Sequence, residues 1–373
     1  MLRLLFFVLL FLSQGFSNDF YKGDSQVKKG VYAFYNYDFD QAVDILSDAR
    51  EQYPDHPGVH LIWAASRWVR SQANSSIEET YNTLESDLKE IEPIYKDLVY
   101  RFPFDPNYKL YQGSALGLSA RVTLGKKQWL KTLYRSYQGF SIIDDVAEKS
   151  PQIMDAKLPI GIIEYYAAIS NPFLKWTISL YGLHGSRESG LRKMSEAAEE
   201  ADWAWIEAKA ILSNLYLWVE EDPILAYNYS KDLVQHFPNN FYFNLLLLES
   251  AIRLGNIDES SLIIRDIEFI SSKLTGRQKE WYLPYLDYEK ALFLFYKGQH
   301  SDALVLVNKT IVSYAAELDI ILGNAYLLQG MIYDIIDERG KAKQSYYDCI
   351  ALDNFSSAME RSKEFLEIPY EGE

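Results

Sequence analysis

The chain has 373 residues, of which 48% are hydrophobic and 24% are charged. This balance is typical of a folded protein and excludes an intrinsically disordered chain. The formal net charge of −15 favours solubility and argues against general binding to nucleic acid. Cys349 is the one cysteine, so the chain has no internal disulfide.

The first seventeen residues have the order of a secretory signal peptide. Arg3 supplies a positive charge, an unbroken apolar run follows from Leu4 to Leu12, and small or polar residues precede Asn18. A membrane-spanning helix needs about 20 apolar residues, which makes this run short for an anchor. We predict that residues 1–17 are a signal peptide and that the protein is exported. In a bacterium it would be periplasmic or associated with the outer membrane. An uncleaved N-terminal anchor is the alternative.

One spacing of small and apolar residues recurs along the chain. Near the N-terminus, intervals of 12, 4, 3 and 5 residues connect Gly30, Ala42, Leu46, Ala49 and Pro54. The same intervals connect Gly330, Ala342, Tyr346, Cys349 and Asn354, and looser copies start at Ala291 and Asn214.

The spacing has a direct physical interpretation. Small residues at Gly30 and Ala42 let two helices cross closely, while Leu46 and Ala49 lie on one face of the second helix. That helix ends near Pro54, because a residue before proline is driven away from helical geometry. We assign the packing of the terminal helix pairs to Gly30, Ala42, Leu46, Ala49, Pro54, Gly330, Tyr333, Ala342 and Tyr346.

These anchors resemble those of the tetratricopeptide repeat (TPR). The resemblance implies an all-α protein, an α-solenoid of antiparallel helix pairs wound into a right-handed superhelix. An irregular helical bundle with accidental spacing is the alternative. Residues 18–156 are predicted as N-terminal TPR-like repeats. Residues 157–191 are predicted as an atypical apolar helical insert with a glycine-rich loop, and residues 192–373 as C-terminal repeats with a capping helix.

The predicted helices follow in chain order. A first pair spans about 23–55, and Ser76 with Glu79 has the pattern of a capping box at the start of a long polar helix. The N-terminal helices after the first pair cover about 56–70, 77–101, 107–124 and 126–149. The C-terminal helices cover about 191–218, 222–236, 240–254, 257–273, 278–297, 300–316, 319–336 and 339–351, and the capping helix covers about 354–367.

The middle segment does not fit the repeat spacing. It includes a largely apolar stretch from Leu158 to Leu183. Parts of it resemble a segment of a family of TPR-like proteins. That family includes the fungal inclusion-body clearance protein, which is associated with the mitochondrial outer membrane, and its animal relatives; exported bacterial proteins of unknown role carry a similar block. The matching residues are Pro172, Trp176, Gly182, Gly185, Arg187, Glu188, Gly190 and Leu191.

The match departs from the family pattern at two positions. Ser186 stands where the family has aspartate, and Asn171 stands before Pro172 where leucine is usual. The family has no established catalytic residues to carry over, so the resemblance implies a fold and leaves the activity open. One interpretation makes 158–183 a buried helical pair followed by a loop at 185–190. The other exposes part of the stretch to a membrane or a partner protein.

The search for catalytic or metal-binding patterns gives weak candidates. His56 and His60 are four apart, but Pro57 and Gly58 lie between them, which favours a solvated turn over a metal site. The sequence has no nucleophile elbow, phosphate-binding loop or zinc-protease motif. We therefore predict no enzyme activity, no metal and no cofactor. The alternative is an enzyme whose site includes Glu164, Tyr165, His184 and Arg187.

A basic cluster occurs within this acidic chain, at Arg121, Lys126, Lys127, Lys131 and Arg135. We expect acidic neighbours to balance it, and a docking patch for an acidic partner or anionic lipid is the alternative.

The predicted function is that of a non-catalytic protein-interaction scaffold of the cell envelope. It would bind an unidentified protein or peptide on its concave face, without nucleic acid, metal or cofactor. The alternative is a peripheral protein of the outer membrane that uses residues 158–183 for membrane contact.

Overall fold

A computed structural model of the protein describes residues 20–126, 128–170, 185–316 and 318–372. These residues form seventeen α-helices and one short 3-10 helix, with no β-strand among them. The all-α prediction is therefore confirmed. The predicted signal peptide lies outside the described residues, as do Pro172, Trp176 and Gly182 of the family motif and His184.

The described residues fall into two compact units, which meet in sequence between Ile211 and Leu212. The first unit contains α1 (Asp24–Tyr35), α2 (Phe39–Gln52), α3 (Val59–Asn74), α4 (Ile77–Arg101), α5 (Pro106–Gly125), α6 (Trp129–Lys149), the 3-10 helix Met154–Ala156, α7 (Lys157–Ile169) and α8 (Arg187–Glu200). The division falls within α9 (Trp205–Trp218). The second unit continues with α10 (Pro223–His236), α11 (Phe241–Arg253), α12 (Ile257–Ser272), α13 (Gly276–Tyr296), α14 (His300–Ser313), α15 (Ile320–Ile335), α16 (Arg339–Ala351) and α17 (Ser357–Glu367).

Consecutive helices pack as stacked pairs within each unit. In the first unit, α1 packs on α2 and also touches α3, and α3 touches α5. In the second unit, α11 packs on α12 and also on α13, which in turn packs on α14 and touches α15. Contacts to the next helix and to the next but one are typical of antiparallel helix pairs in a solenoid, where each pair buries its apolar faces against its neighbours. The predicted α-solenoid is confirmed.

The anchors of the first helix pair lie where α1 and α2 cross. Ala42, Leu46 and Ala49 are completely buried on α2. A Cβ atom added to Gly30 would lie 2.5 Å from Leu46 Cγ, so no side chain larger than hydrogen fits there without a shift. Helix α2 ends at Gln52, two residues before the exposed Pro54.

The anchors of the last pair repeat this arrangement on α15 and α16. A Cβ atom on Gly330 would lie 2.3 Å from Tyr346 Cε1, and both Tyr346 and Ala342 are completely buried. Tyr333 differs from the other anchors, because it is half-buried and lies beneath Lys341 Nζ, 5.6 Å from the ring centroid.

Polar contacts connect the last helix pair to the C-terminus. The Tyr346 hydroxyl donates to Asp334 Oδ2 at 2.8 Å, and the Tyr370 amide donates to the same atom at 3.0 Å. Arg339 lies 2.9 Å from the Asp334 carboxylate and donates to the Phe365 carbonyl at 2.7 Å. Asp334 therefore holds α16 and the segment after α17 together.

The interpretation of His56 and His60 as a solvated turn is wrong, because both rings are buried. His56 Nε2 lies 2.7 Å from Asp24 Oδ1, and its Nδ1 accepts from the Gly58 amide at 3.1 Å. His60 faces the Pro54 carbonyl and accepts from Arg50 Nε at 3.0 Å. Burial lowers the pKa of His60 to about 4, so its ring is neutral at pH 7.

The loop predicted at residues 185–190 is also wrong, because α8 begins at Arg187. The Ser186 side chain caps the helix by accepting from the Ser189 amide at 3.2 Å. A Cβ atom on Gly190 would lie 2.7 Å from the Gly161 carbonyl oxygen of α7, and one on Gly161 would lie 2.8 Å from the Gly190 oxygen. Gly190 therefore allows two helices to cross closely. In the sequence, a close crossing and a loop are both rich in glycine, so the two look alike.

Replacing Gly330 by alanine should destabilise the protein by about 1–3 kcal/mol through overpacking against Tyr346, whose hydroxyl is held by Asp334. Gly340 is the matched control, since it is helical and a Cβ there meets nothing within 4 Å. Gly340→Ala should stabilise by about 0.5–1 kcal/mol, the usual gain for alanine in a helix. Urea unfolding measures the free energy of unfolding of both variants. Equal gains in that free energy from the two substitutions would contradict this account of the crossing.

Candidate peptide-binding groove

An open groove runs between α4 and α5 in the first unit, with Arg135 of α6 at its edge. Its cavity volume is about 100 Å³. Leu116 and Ser119 of α5, both half-buried, line it. The groove is therefore accessible from solvent and wide enough to receive a side chain from another molecule.

The floor of the groove is apolar and fixed in place. Leu88, Ala115 and Val122 are buried there. Tyr95 is completely buried, accepts from the Leu61 amide and donates to the Pro57 carbonyl, both at 3.0 Å. Burial raises the pKa of Tyr95 far above its usual range, so the hydroxyl stays neutral. These two bonds hold α4 against the start of α3.

Charged side chains of both signs line the rim. Glu85, Lys89, Glu92 and Lys96 lie on one face of α4, because they are spaced three or four residues apart. Lys89 pairs with Glu85 at 3.0 Å and Lys96 with Glu92 at 2.9 Å. This stripe was missed from the sequence, where α4 was described only as long and polar, although its alternating charges at helical spacing were visible.

The rim also receives part of the basic cluster. Lys126 pairs with Glu85, and Arg135 lies 3.5 Å from Glu92. A hydrogen bond from Lys126 lowers the pKa of Glu85, and one from Lys96 lowers the pKa of Glu92. Both carboxylates are therefore ionised at neutral pH, and the expected balance of the cluster by acidic neighbours is confirmed for Lys126 and Arg135.

Arg121 and Lys131, the other described residues of the basic cluster, do not line the groove. Arg121 is buried, with its guanidinium 5.4 Å from the centroid of the Tyr81 ring. Among the described members of the cluster, only Lys131 is exposed. Lys127 lies outside the described residues.

Two residues of the enzyme alternative, Glu164 and Tyr165, have packing contacts in the structure, and His184 lies outside the described residues. Tyr165 is completely buried between α7 and α8, next to Gly190, and Glu164 pairs with Lys193. Arg187 and Glu188 are exposed at the start of α8, Leu191 is half-buried in its first turns, and Gly185 lies against Ala168. In the part of the chain that the structure covers, no cluster of three or more His, Cys, Asp or Glu is placed to hold a metal ion.

The described part of the apolar segment lies inside the first unit. Leu158 and Tyr165 are completely buried, and Ile160, Ile162 and Tyr166 are nearly so. Residues 171–183 lie outside the described part. No helix in the described ranges combines the length and the apolar character needed to span a bilayer.

No family model and no curated protein matches the sequence, but solved structures match the fold. The APC/C hetero-tetramer Cut9–Hcn1 matches 93% of this chain with a TM-score of 0.52 and 13% identity, and this chain covers 56% of that one. The human IFIT1 dimer with m7Gppp-AAAA matches 94% of this chain at 13% identity, with 82% of its own length covered and a TM-score of 0.44. A tetratricopeptide repeat protein from Parabacteroides merdae matches 92% at 12% identity, with 97% covered and a TM-score of 0.32.

The Cut9–Hcn1 match is long and lies at low sequence identity, so it bears on the fold alone. It agrees with the stacked helix pairs of both units. The chain therefore has the fold of a tetratricopeptide-repeat protein.

Proposed function

We propose that the protein is a non-catalytic scaffold that binds a segment of another protein in the groove between α4 and α5. The observation that carries this proposal is the combination of an apolar floor with a rim of ionised side chains of both signs. Such a site can bury one apolar side chain of an extended segment while the rim pairs with charges on either side of it.

The fold supports the same proposal. Stacked helix pairs present extended surfaces, and proteins of this architecture commonly use them to bind other proteins. The Cut9–Hcn1 structure is itself an assembly of two kinds of chain. The concave face expected from the repeat resemblance stays a prediction, and the groove is a more specific proposal because its lining residues are known.

We also propose that the scaffold is exported, on the strength of the signal-type order of residues 1–17. The peripheral-membrane alternative has less support, since most residues of the described part of this segment, 158–170, are buried.

The groove proposal predicts a position-specific photo-crosslink in cells. A photoreactive amino acid at Ser119 should form an adduct with the bound protein. The same residue at Ser261 of α12 is the matched control, because both serines are half-buried and bond a carbonyl of their own helix, at 2.6 and 3.0 Å. Leu116→Glu should remove the adduct by placing a charge in the groove, whereas Leu262→Glu, on an exposed leucine, should leave it. Adducts of equal yield from both serines, or an adduct that survives Leu116→Glu, would contradict the proposal.

Export predicts a mature chain that begins at Asn18. Intact mass and N-terminal sequencing of the protein from the envelope fraction measure this directly. Leu9→Arg, which interrupts the apolar run, should leave the uncleaved chain in the cytoplasm. Washing the membranes with high salt or carbonate distinguishes a soluble envelope protein from one held at the membrane. Recovery of the wild-type chain with Met1 intact in the cytoplasm would show that residues 1–17 are not a signal.

A further inference from the structure

Two acidic side chains are buried together in the second unit, where α11 packs on α13. Glu249 is 0% exposed and Glu289 is 1% exposed. Their carboxyl groups lie within hydrogen-bonding reach of each other. Buried carboxylates are costly unless they are paired with cations or carry a proton, so the charge state of this pair needs an explanation.

Glu249 has the surroundings of an ionised carboxylate. Its Oε1 accepts from Arg253 Nη2 at 2.6 Å and Nε at 2.8 Å, and the Tyr288 hydroxyl lies 3.4 Å away. Its Oε2 accepts from Trp218 Nε1 at 2.8 Å. Every one of these groups is a donor, and one of them is a guanidinium, so the negative charge on Glu249 is compensated.

Glu289 has the opposite surroundings. Its Oε2 is buried without a hydrogen-bond partner, and its contact with Glu249 brings two acids together. The charged groups that act on it are Glu249 and Arg253 of α11. Burial raises the pKa of its chain neighbour Tyr288 well above the ordinary value, while α9 and α15 contribute the neutral Trp218 and Asn324 to this network.

A count of the charges then decides whether Glu289 is ionised or protonated. With both glutamates ionised, one guanidinium faces two carboxylates in a site closed to water, and one negative charge remains uncompensated. A proton on Glu289 removes that charge and supplies the donor for the bond between the two acids. Burial, followed by the charge of Glu249, raises the pKa of Glu289 well above its ordinary value, in agreement with this count.

We infer that Glu289 is protonated at neutral pH and donates its proton to Glu249, which makes the packing of α11 on α13 a pH-sensitive element of the second unit. The unit takes up this proton when it folds and loses stability when alkaline pH removes it.

The direction of the pH effect follows from proton linkage. Glu289 has a higher pKa in the folded state than in the unfolded chain, where the ordinary value is about 4.3. Its contribution to stability is therefore complete below that value and declines as the pH rises towards the folded pKa. Within this window, one proton is released on unfolding, so the folding equilibrium constant falls tenfold per pH unit.

The test compares urea unfolding of the full chain and of Glu289→Gln between pH 5 and pH 9. Glutamine is neutral at every pH and can still donate to Glu249. Relative to the variant, the wild type should lose about tenfold in the folding constant for each pH unit between pH 5 and pH 7, where folded Glu289 keeps its proton. Parallel stability curves for the two proteins would overturn the proposal. Failure of Glu289→Gln to fold would also overturn it, because a neutral isostere fits the site of a neutral carboxyl group.

A second variant assigns the proton to one of the two acids. Glu249→Gln removes the partner of Arg253 and should weaken the second unit much more than Glu289→Gln at pH 7. Buried Glu207, whose pKa is raised to about 8, also contributes a protonated carboxyl band at pH 7. The infrared difference spectrum between the folded wild type and Glu289→Gln should therefore contain one further protonated carboxyl band. Equal tolerance of both substitutions, or a difference spectrum without that band, would place the proton elsewhere.

Discussion

Helix pairs in this protein depend on close crossings that leave no room for a side chain. Gly30 lies against Leu46, and Gly330 lies against the ring of Tyr346. At the crossing of α7 and α8 the two backbones themselves meet, at Gly161 and Gly190. Because each pair closes on itself in this way, the apolar faces that remain are those used for stacking on the next pair. The resulting fold has long seams between helices, and the groove between α4 and α5 is one of them.

Much of this architecture was predictable, because it depends on local periodicity. The intervals between Gly30, Ala42 and Leu46 predicted the first crossing, and the capping box at Ser76 and Glu79 is present at the start of α4. Most helix boundaries agree with the sequence within a few residues, since caps and prolines act over a single turn. The single helix predicted over 191–218 is wrong, because the structure has two helices there, α8 and α9, separated at residues 201–204. The alternating charges on α4 also follow a local helical spacing, so the rim of the groove could have been predicted from the sequence.

Contacts between distant residues were not predictable from local patterns. His56 looked like part of a solvated turn because its partner, Asp24, lies 32 positions earlier in the chain. Asp155 accepts from the amides of Trp203 and Ala204, just before α9, at 2.7 and 2.6 Å, and nothing near Asp155 in sequence indicates this role. A glycine-rich sequence can form either a turn or a close helix crossing, and at Gly190 only the position of α7 distinguishes the two.

Buried and exposed acids respond to pH in different ways. At the groove, hydrogen bonds from lysines lower the pKa values of Glu85 and Glu92, so both carboxylates stay charged as the pH rises from mildly acidic values. In the interior, burial raises the pKa of Glu207 to about 8, even though the Tyr35 hydroxyl donates to it at 2.6 Å. Stability that depends on neutral Glu207 is therefore lost as the pH rises through about 8, in the same direction as that of Glu289. A rise in pH would then act on the packing between helices and leave the charges of Glu85 and Glu92 unchanged, so that the resulting loss of binding would report loosening of the scaffold and not titration of these carboxylates.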